Sequence, residues 1–149
     1  MREIVFDTET TGLNPAGGDR MVEIGCIEMV NRVETGRTFH AYFNPLRPMP
    51  SEAEAVHGLT NLFLSAQPLF ADRAEELIDF LEDSPLVAHN ATFDFGFLNN
   101  ELQLCGRPVT VRAPRVPRPH FASAEELERH RAFIAHMASP LWERFAPSA

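Results

Sequence analysis

Lysine is missing from this chain. All 13 basic residues are arginine, and 21 acidic residues outnumber them, for a net charge of −8. That balance argues against a protein that grips nucleic acid with a broad basic surface. It leaves open one that handles phosphates through bound cations, which need carboxylates. The absence of lysine, alongside many Ala and Pro, reads as a compositional bias. Cysteine is scarce, and Cys26 and Cys105 lie too far apart to form a metal-ligand pair. A disulfide scaffold is not indicated, and a reduced cytosolic setting follows. No apolar run approaches the roughly 20 residues of a membrane span, and the one after Met1 is too short for a signal peptide. A soluble, cytoplasmic protein is expected.

What is present suffices for one domain: 149 residues, 44% of them hydrophobic. The charge is unevenly spread. Residues 1–111 hold 7 Arg and 17 acids, net −10, whereas residues 112–149 hold 6 Arg and 4 Glu, net +2. Between body and tail, Pro108, Pro114, Pro117 and Pro119 alternate with Arg112, Arg115 and Arg118, the composition of a semi-rigid linker. Three regions are expected: a body over 1–108, a linker over 109–119 and a tail over 120–149.

Residues 3–7 read as a buried strand ending at a carboxylate. Residues 21–30 read as a second strand, with Val22, Ile24 and Cys26 alternating with Glu23 and Gly25. Residues 37–43 read as a third, after a hairpin turn at Asn31-Arg32 or at Thr35-Gly36. Asn44-Pro45 then breaks the chain. Ser51, with Glu54 three residues on, predicts a short helix with Ser51 as N-cap. Phe70, Ala74, Leu77, Ile78 and Leu81 share one face of a helix over 70–82, whose other face is a solvated run of Asp72, Glu75, Glu76, Asp79 and Glu82. A fourth strand over 85–88 and a helix over 92–104, closed by Gly106, complete a mixed α/β pattern. The hairpin strands should be antiparallel, and the fourth strand parallel to the first.

Two acidic constellations carry chemistry. In Asp7-Thr8-Glu9-Thr10-Thr11-Gly12, the two acids sit two apart at a strand end and point to one side. Such a pair is either a solvated strand end or a pair held by a divalent cation. In His89-Asn90-Ala91-Thr92-Phe93-Asp94, the acid falls in a first helical turn. There it either suits the helix dipole or faces the same pocket as Asp7 and Glu9, since ligands gather at the C-terminal ends of such strands.

These two constellations resemble the first two motifs of the DEDD exonuclease superfamily. Between them, Glu52-Ala53-Glu54-Ala55-Val56-His57-Gly58-Leu59-Thr60 is similar to the substrate-contacting segment of the proofreading epsilon subunits of bacterial DNA polymerase III. Three motifs in order at compatible spacing over residues 1–108 make the resemblance specific. It implies a ribonuclease H-like mixed β-sheet flanked by helices, and removal of nucleotides from a DNA 3′ end. It implies two divalent ions, Mg²⁺ or Mn²⁺, with Asp7 bridging both, Glu9 holding the ion that activates water, and Asp94 holding the other mainly through water. Glu52 and His57 would contact the terminal nucleotide along with Asp7 and Glu9. On residues alone, His57 also fits a turn histidine bonded to backbone. Thr10 to Leu13 would shape the floor under the last base.

The chain departs from the family at the third motif, a His followed five residues later by Asp on a late helix. A strand and two helices need at least about 35 residues. Here 14 residues, 106–119, precede the tail, and no Asp follows Asp94. The sheet is therefore expected to be truncated, lacking its last strand and helix. His120 and Glu125 imitate the spacing of the missing base and ligand, although Ser123 with Glu126 reads as a capping box around an ordinary first turn. Residues 115–145 resemble the end of alpha-proteobacterial epsilon subunits, which docks onto the polymerase alpha subunit; theta is a further candidate partner. Leu127, Ile134 and Met137 share a face there, and Pro140-Leu141-Trp142 supplies an aromatic anchor. A terminal helix packed on its own domain would use the same residues. Two functions follow: a metal-dependent 3′–5′ exonuclease, or an impaired epsilon-like fragment that only binds the alpha subunit.

Overall fold

A computed structural model of the chain describes residues 1–88 and 91–107. The linker, the tail, His89, Asn90, His120 and Glu125 lie outside them. Four strands form one sheet in the order β3-β2-β1-β4: β1 is Arg2–Thr10, β2 Met21–Val30, β3 Val33–Tyr42 and β4 Leu86–Val87. β1, β2 and β3 form an antiparallel meander, and β4 joins β1 in parallel through Ile4↔Leu86 and Val5↔Val87. Around them run helices α1 (Ser51–His57), α2 (Asn61–Ser65), α3 (Phe70–Leu81) and α4 (Ala91–Leu104).

The pairing sense agrees with the alternation of apolar residues and the helical crossover, whereas several boundaries shift. β1 runs on to Thr10, so both Asp7 and Glu9 sit within paired backbone rather than at its end. The hairpin turns at Asn31 and Arg32, both at positive φ, the conformation that two-residue turns require; Thr35-Gly36 lies inside β3. Ser51 is the first helical residue, not the cap. Pro50 takes the cap position and offers no side-chain acceptor, as a ring with fixed φ suits a helix start. Helix α2 has no counterpart in the sequence reading. It is a single turn, capped by Thr60 Oγ1 accepting from Phe63 N–H at 3.1 Å, and too short for any periodicity to register.

The core lies between the sheet and the helices α3 and α4. Ile4, Phe6, Ile24, Cys26 and Ala41 from the sheet meet Phe70, Ala74, Leu77 and Leu81 of α3 and Phe95, Phe97, Leu98 and Leu102 of α4. The charged face of α3 stays outward as its pattern requires, with Asp72, Glu75, Glu76 and Asp79 exposed. Arg2 closes the far end of α3. Its guanidinium donates to the Phe80 and Leu81 carbonyls, which have no partner within the helix, and its Nε donates to Glu28. Arg20 and Glu101 form a second fixed point: the guanidinium donates through Nε and Nη2 to both carboxylate oxygens, at 2.7 and 2.8 Å. The Met21 N–H donates to the same carboxylate. Glu101 is thereby buried with its charge matched, which ties α4 to the start of β2.

Truncating Leu77, which is fully buried, to Ala should cost about 3 kcal/mol. Asp79→Ala on the exposed face should stay within about 0.5 kcal/mol. Urea unfolding of the two variants checks this, and equal midpoints would contradict the packing described.

Candidate active site

β1 carries the first two acids. Because strand side chains alternate, Asp7 and Glu9 share one face, and Thr8 between them points the other way, towards α4. There its hydroxyl donates to Asp94 Oδ1 at 2.5 Å. That bond joins residues 86 apart in sequence and brings the acid on α4 to the acids on β1. Asp94 lies in the first turn of α4, where the helix dipole favours a negative charge, yet it is only 2% exposed. Burial pushes its pKa up to about 6, with Glu9 adding to the rise and the bonds from Thr8 opposing it. Asp7 is pushed further, to about 8. Burial is the main cause, then the charges of Asp94 and Glu9, against one bond from its neighbour's N–H.

One more acid belongs to this group, and no sequence motif singles it out. The alternation in β2 puts Glu23 opposite the apolar face, yet it is wholly buried. It stands across the antiparallel ladder from Glu9, at the roughly 5 Å between Cβ atoms that direct cross-strand partners keep. Glu23 Oε2 lies 2.6 Å from His40 Nε2, and the Tyr42 phenol approaches the same carboxyl. Burial first and Glu9 second push Glu23 up to about 9, while burial holds His40 below its ordinary value. Both shifts run against the charged forms, because burial penalises each ion. Glu23 Oε1 has no hydrogen-bond partner among the described residues. The signal available in the sequence was register: pairing β1 with β2 through the acids would have placed Glu23 beside Glu9.

Asp7, Glu9 and Asp94 line one cavity of about 720 Å³. Thr10 to Leu13 line it too, and so does α1 through Glu52, Val56 and His57. The five residues singled out from the sequence within the described part of the chain thus border one space. Glu52 is exposed, and His57 is half-buried with both ring nitrogens committed. Leu59 N–H donates to Nδ1 at 3.0 Å, which leaves Nε2 as the N–H donor to the Thr10 carbonyl at 3.1 Å. The turn-histidine geometry is therefore present, and it presses α1 against the end of β1.

The donor set is of the type a hard divalent cation takes: carboxylate oxygens, several of them, in a partly dry pocket. As placed, no group of three His, Cys, Asp or Glu among the described residues forms a ready-made metal cage. One oxygen of Asp94 and one of Asp7 are engaged by Thr8. The residues fit such an ion in kind and fall short of a full shell in number.

Carboxylates thus crowd along a paired strand, backed by a helix and facing a cavity. A family model described as Exonuclease matches residues 4–133, and the chain belongs to that family. Within it the chain is epsilon-like. It is 56% identical over 107 residues to DNA polymerase III subunit epsilon of Rickettsia conorii, over 72% of this chain and 46% of that protein. It is 45% identical over 112 residues to the subunit of the same name from Salmonella typhimurium, over 72% and 46%, and 43% over 114 residues to that of Buchnera aphidicola, over 74% and 48%. The chain spans just under half the length of these relatives. Among solved structures, the zinc-bound complex of E. coli exonuclease I with single-stranded DNA matches with a TM-score of 0.66 at 19% identity, over 74% of this chain and 25% of that one. A product-bound exonuclease I matches with the same TM-score over 27% of its length. These two likenesses are of fold, the ribonuclease H-like fold.

The raised pKa of Asp7 has a consequence for stability. Its folded value, about 8, exceeds the ordinary 3.8, so the fold favours the protonated carboxyl. The stability this lends is complete below about pH 4 and is lost as pH rises towards 8. In the presence of a chelator, Asp7→Asn should raise the melting temperature at pH 7 by roughly 5 °C or more and leave it unchanged at pH 4. A variant no more stable than wild type at pH 7 would contradict the crowding.

Proposed function

We propose that the chain is the catalytic body of a metal-dependent 3′–5′ DNA exonuclease that proofreads for a replicative polymerase. The observation that carries this reading is the convergence of Asp7, Glu9 and Asp94 on one cavity faced by Glu52 and His57. In this reading Asp7, Glu9 and Asp94 would together hold two divalent ions, Mg²⁺ or Mn²⁺. Such ions would lower the pKa of an attacking water and stabilise charge on the phosphodiester oxygens. Thr8 fixes Asp94 in the orientation this needs, and ion binding relieves the repulsion that raises Asp7 and Asp94. The terminal nucleotide enters between the Thr10–Leu13 backbone and α1. Leu13 and Val56, 84% and 79% exposed, offer apolar contacts to a base, and Glu52 borders the same space. The substrate in this reading is a single-stranded or frayed 3′ end.

A second reading rests on one feature of the sequence: no Asp follows Asp94, so a third motif of the family's kind is absent. His120 and Glu125 are the candidates for its base and ligand. If they do not serve, the chain is an impaired epsilon-like subunit whose residues 120–149, beyond a linker at 109–119, bind the polymerase alpha subunit.

Two measurements separate the readings. A 3′-labelled single-stranded oligonucleotide should lose nucleotides with Mn²⁺ or Mg²⁺, and Asp7→Ala should slow this at least about 100-fold. Equal and negligible rates for both chains would sink the first reading. The full chain should be retained on immobilised alpha subunit, and Trp142→Ala should weaken that retention by about tenfold or more. Absence of retention would remove the second reading.

A further inference from the structure

The loop from β1 to β2 is organised around Asp19, which no motif singles out. One oxygen, Oδ1, accepts from the Thr11 hydroxyl at 2.9 Å, and the other, Oδ2, accepts from Asn14 N–H at 3.1 Å. The Asp19 N–H donates to the Asn14 carbonyl. Thr11, fully buried, returns the connection: its hydroxyl accepts from Arg20 N–H at 3.0 Å, and its own N–H donates to the Arg20 carbonyl. Between these anchors the carboxylate lies flat against Gly12, where a Cβ would stand 2.4 Å from Oδ2. The path of Thr11 to Asn14 is thus moulded on one side chain.

That side chain also reaches the opposite wall. Arg47 Nη1 is 3.4 Å from Asp19 Oδ1, and Arg47 belongs to the segment that leads into α1, the helix carrying Glu52, Val56 and His57. Asp19 itself lines the cavity. An acid here would repel a DNA backbone, so its place at the cavity needs another explanation. The two walls it joins supply one, because each bears an exposed apolar residue, Leu13 on the loop and Val56 on α1.

We propose that Asp19 is a positioning residue that sets the spacing of the two walls, through Thr11 and Asn14 on one side and Arg47 on the other, and so determines how firmly a terminal nucleotide is held between Leu13 and Val56. This rests on the nuclease reading for the identity of the ligand. Asp19 acts through the walls it joins, so its effect falls on nucleotide binding and spares the carboxylates that would hold the ions.

The test uses the full chain. Binding of a fluorescein-labelled single-stranded oligonucleotide with a free 3′ end is followed by anisotropy, and Mn²⁺ binding by calorimetry. Both are measured for wild type, Asp19→Ala, Asp19→Asn, Arg47→Ala and the Asp19→Ala/Arg47→Ala double variant, with a melting curve for each. Asp19→Ala should weaken oligonucleotide binding by about tenfold or more and leave Mn²⁺ affinity within about twofold of wild type. Asp19→Asn, which keeps an acceptor for Thr11, should lose less. Because both residues act through one bridge, the double variant should be no worse than Asp19→Ala alone. Oligonucleotide affinity unchanged in Asp19→Ala overturns the proposal, as does a double variant whose losses add. Should Asp19→Ala not fold, Arg47→Ala decides alone: unaltered binding overturns the proposal and weakened binding with intact Mn²⁺ affinity supports it. A wild-type chain that binds no oligonucleotide brings down the nuclease reading itself, and the proposal with it. Wild-type binding with indifferent variants brings down only the proposal.

Discussion

Four carboxylates that repel one another are held in one corner of a small sheet, and the surrounding structure is shaped by that repulsion. Asp7, Glu9 and Glu23 are fixed by the β1–β2 ladder, and Asp94 by a hydroxyl that β1 presents to the first turn of α4. Arginines elsewhere in the same body are paired closely with Glu28 and Glu101. Ordinary folding would separate or neutralise such groups. Here the neutralisation is partial and local: burial lifts Asp7 and Glu23 into the range where they keep a proton, and Asp94 leans on Thr8 and the helix dipole. A fold that concentrates negative charge in this way is prepared for a cation at the cost of its own stability, the usual exchange at functional sites.

Opposing that corner, the rest of the body is tied down by guanidinium groups. Arg2 closes the end of α3 and binds Glu28, Arg37 joins the same carboxylate, and both stack within 5.6 Å of the Phe80 ring. Arg20 clamps Glu101 through two parallel bonds. The planar fork of arginine suits each of these roles better than an ammonium would. The composition that looked like a mere bias thus supplies the side chain that every one of these tight junctions needs.

Much of the arrangement was legible in the residues, because strands and helices announce themselves through spacing. The two-residue interval put Asp7 and Glu9 on one face, the amphipathic interval placed α3, and the crossover made β4 parallel to β1. What escaped depends on pairing across the chain. Glu23 alternates with the apolar residues of β2, and its register with Glu9 and the cover from His40 and Tyr42 appear only in the folded chain. Ser51 had the makings of a cap, but Pro50 ahead of it already sets the helix start. Asp19 looked like one acid among many in a polar loop, since its bonds to Thr11, Asn14 and Arg47 are matters of three-dimensional approach. His57 kept both of its possible meanings: it lines the cleft, and it is bonded to backbone at both nitrogens. Family membership over residues 4–133 matches the motif-based reading.

The hydrogen bond from Thr8 to Asp94 closes the largest loop in the site, spanning 86 residues. During synthesis the first acids leave the ribosome long before the last, so the negative cluster cannot exist until α4 has formed and docked. Contacts of such long sequence separation form late because their loop entropy must be overcome first. The nascent sheet is thereby spared its worst repulsion while it assembles, and the capacity to capture a cation arrives as the closing event of folding. Ion uptake would then serve as a clock for the completion of the body.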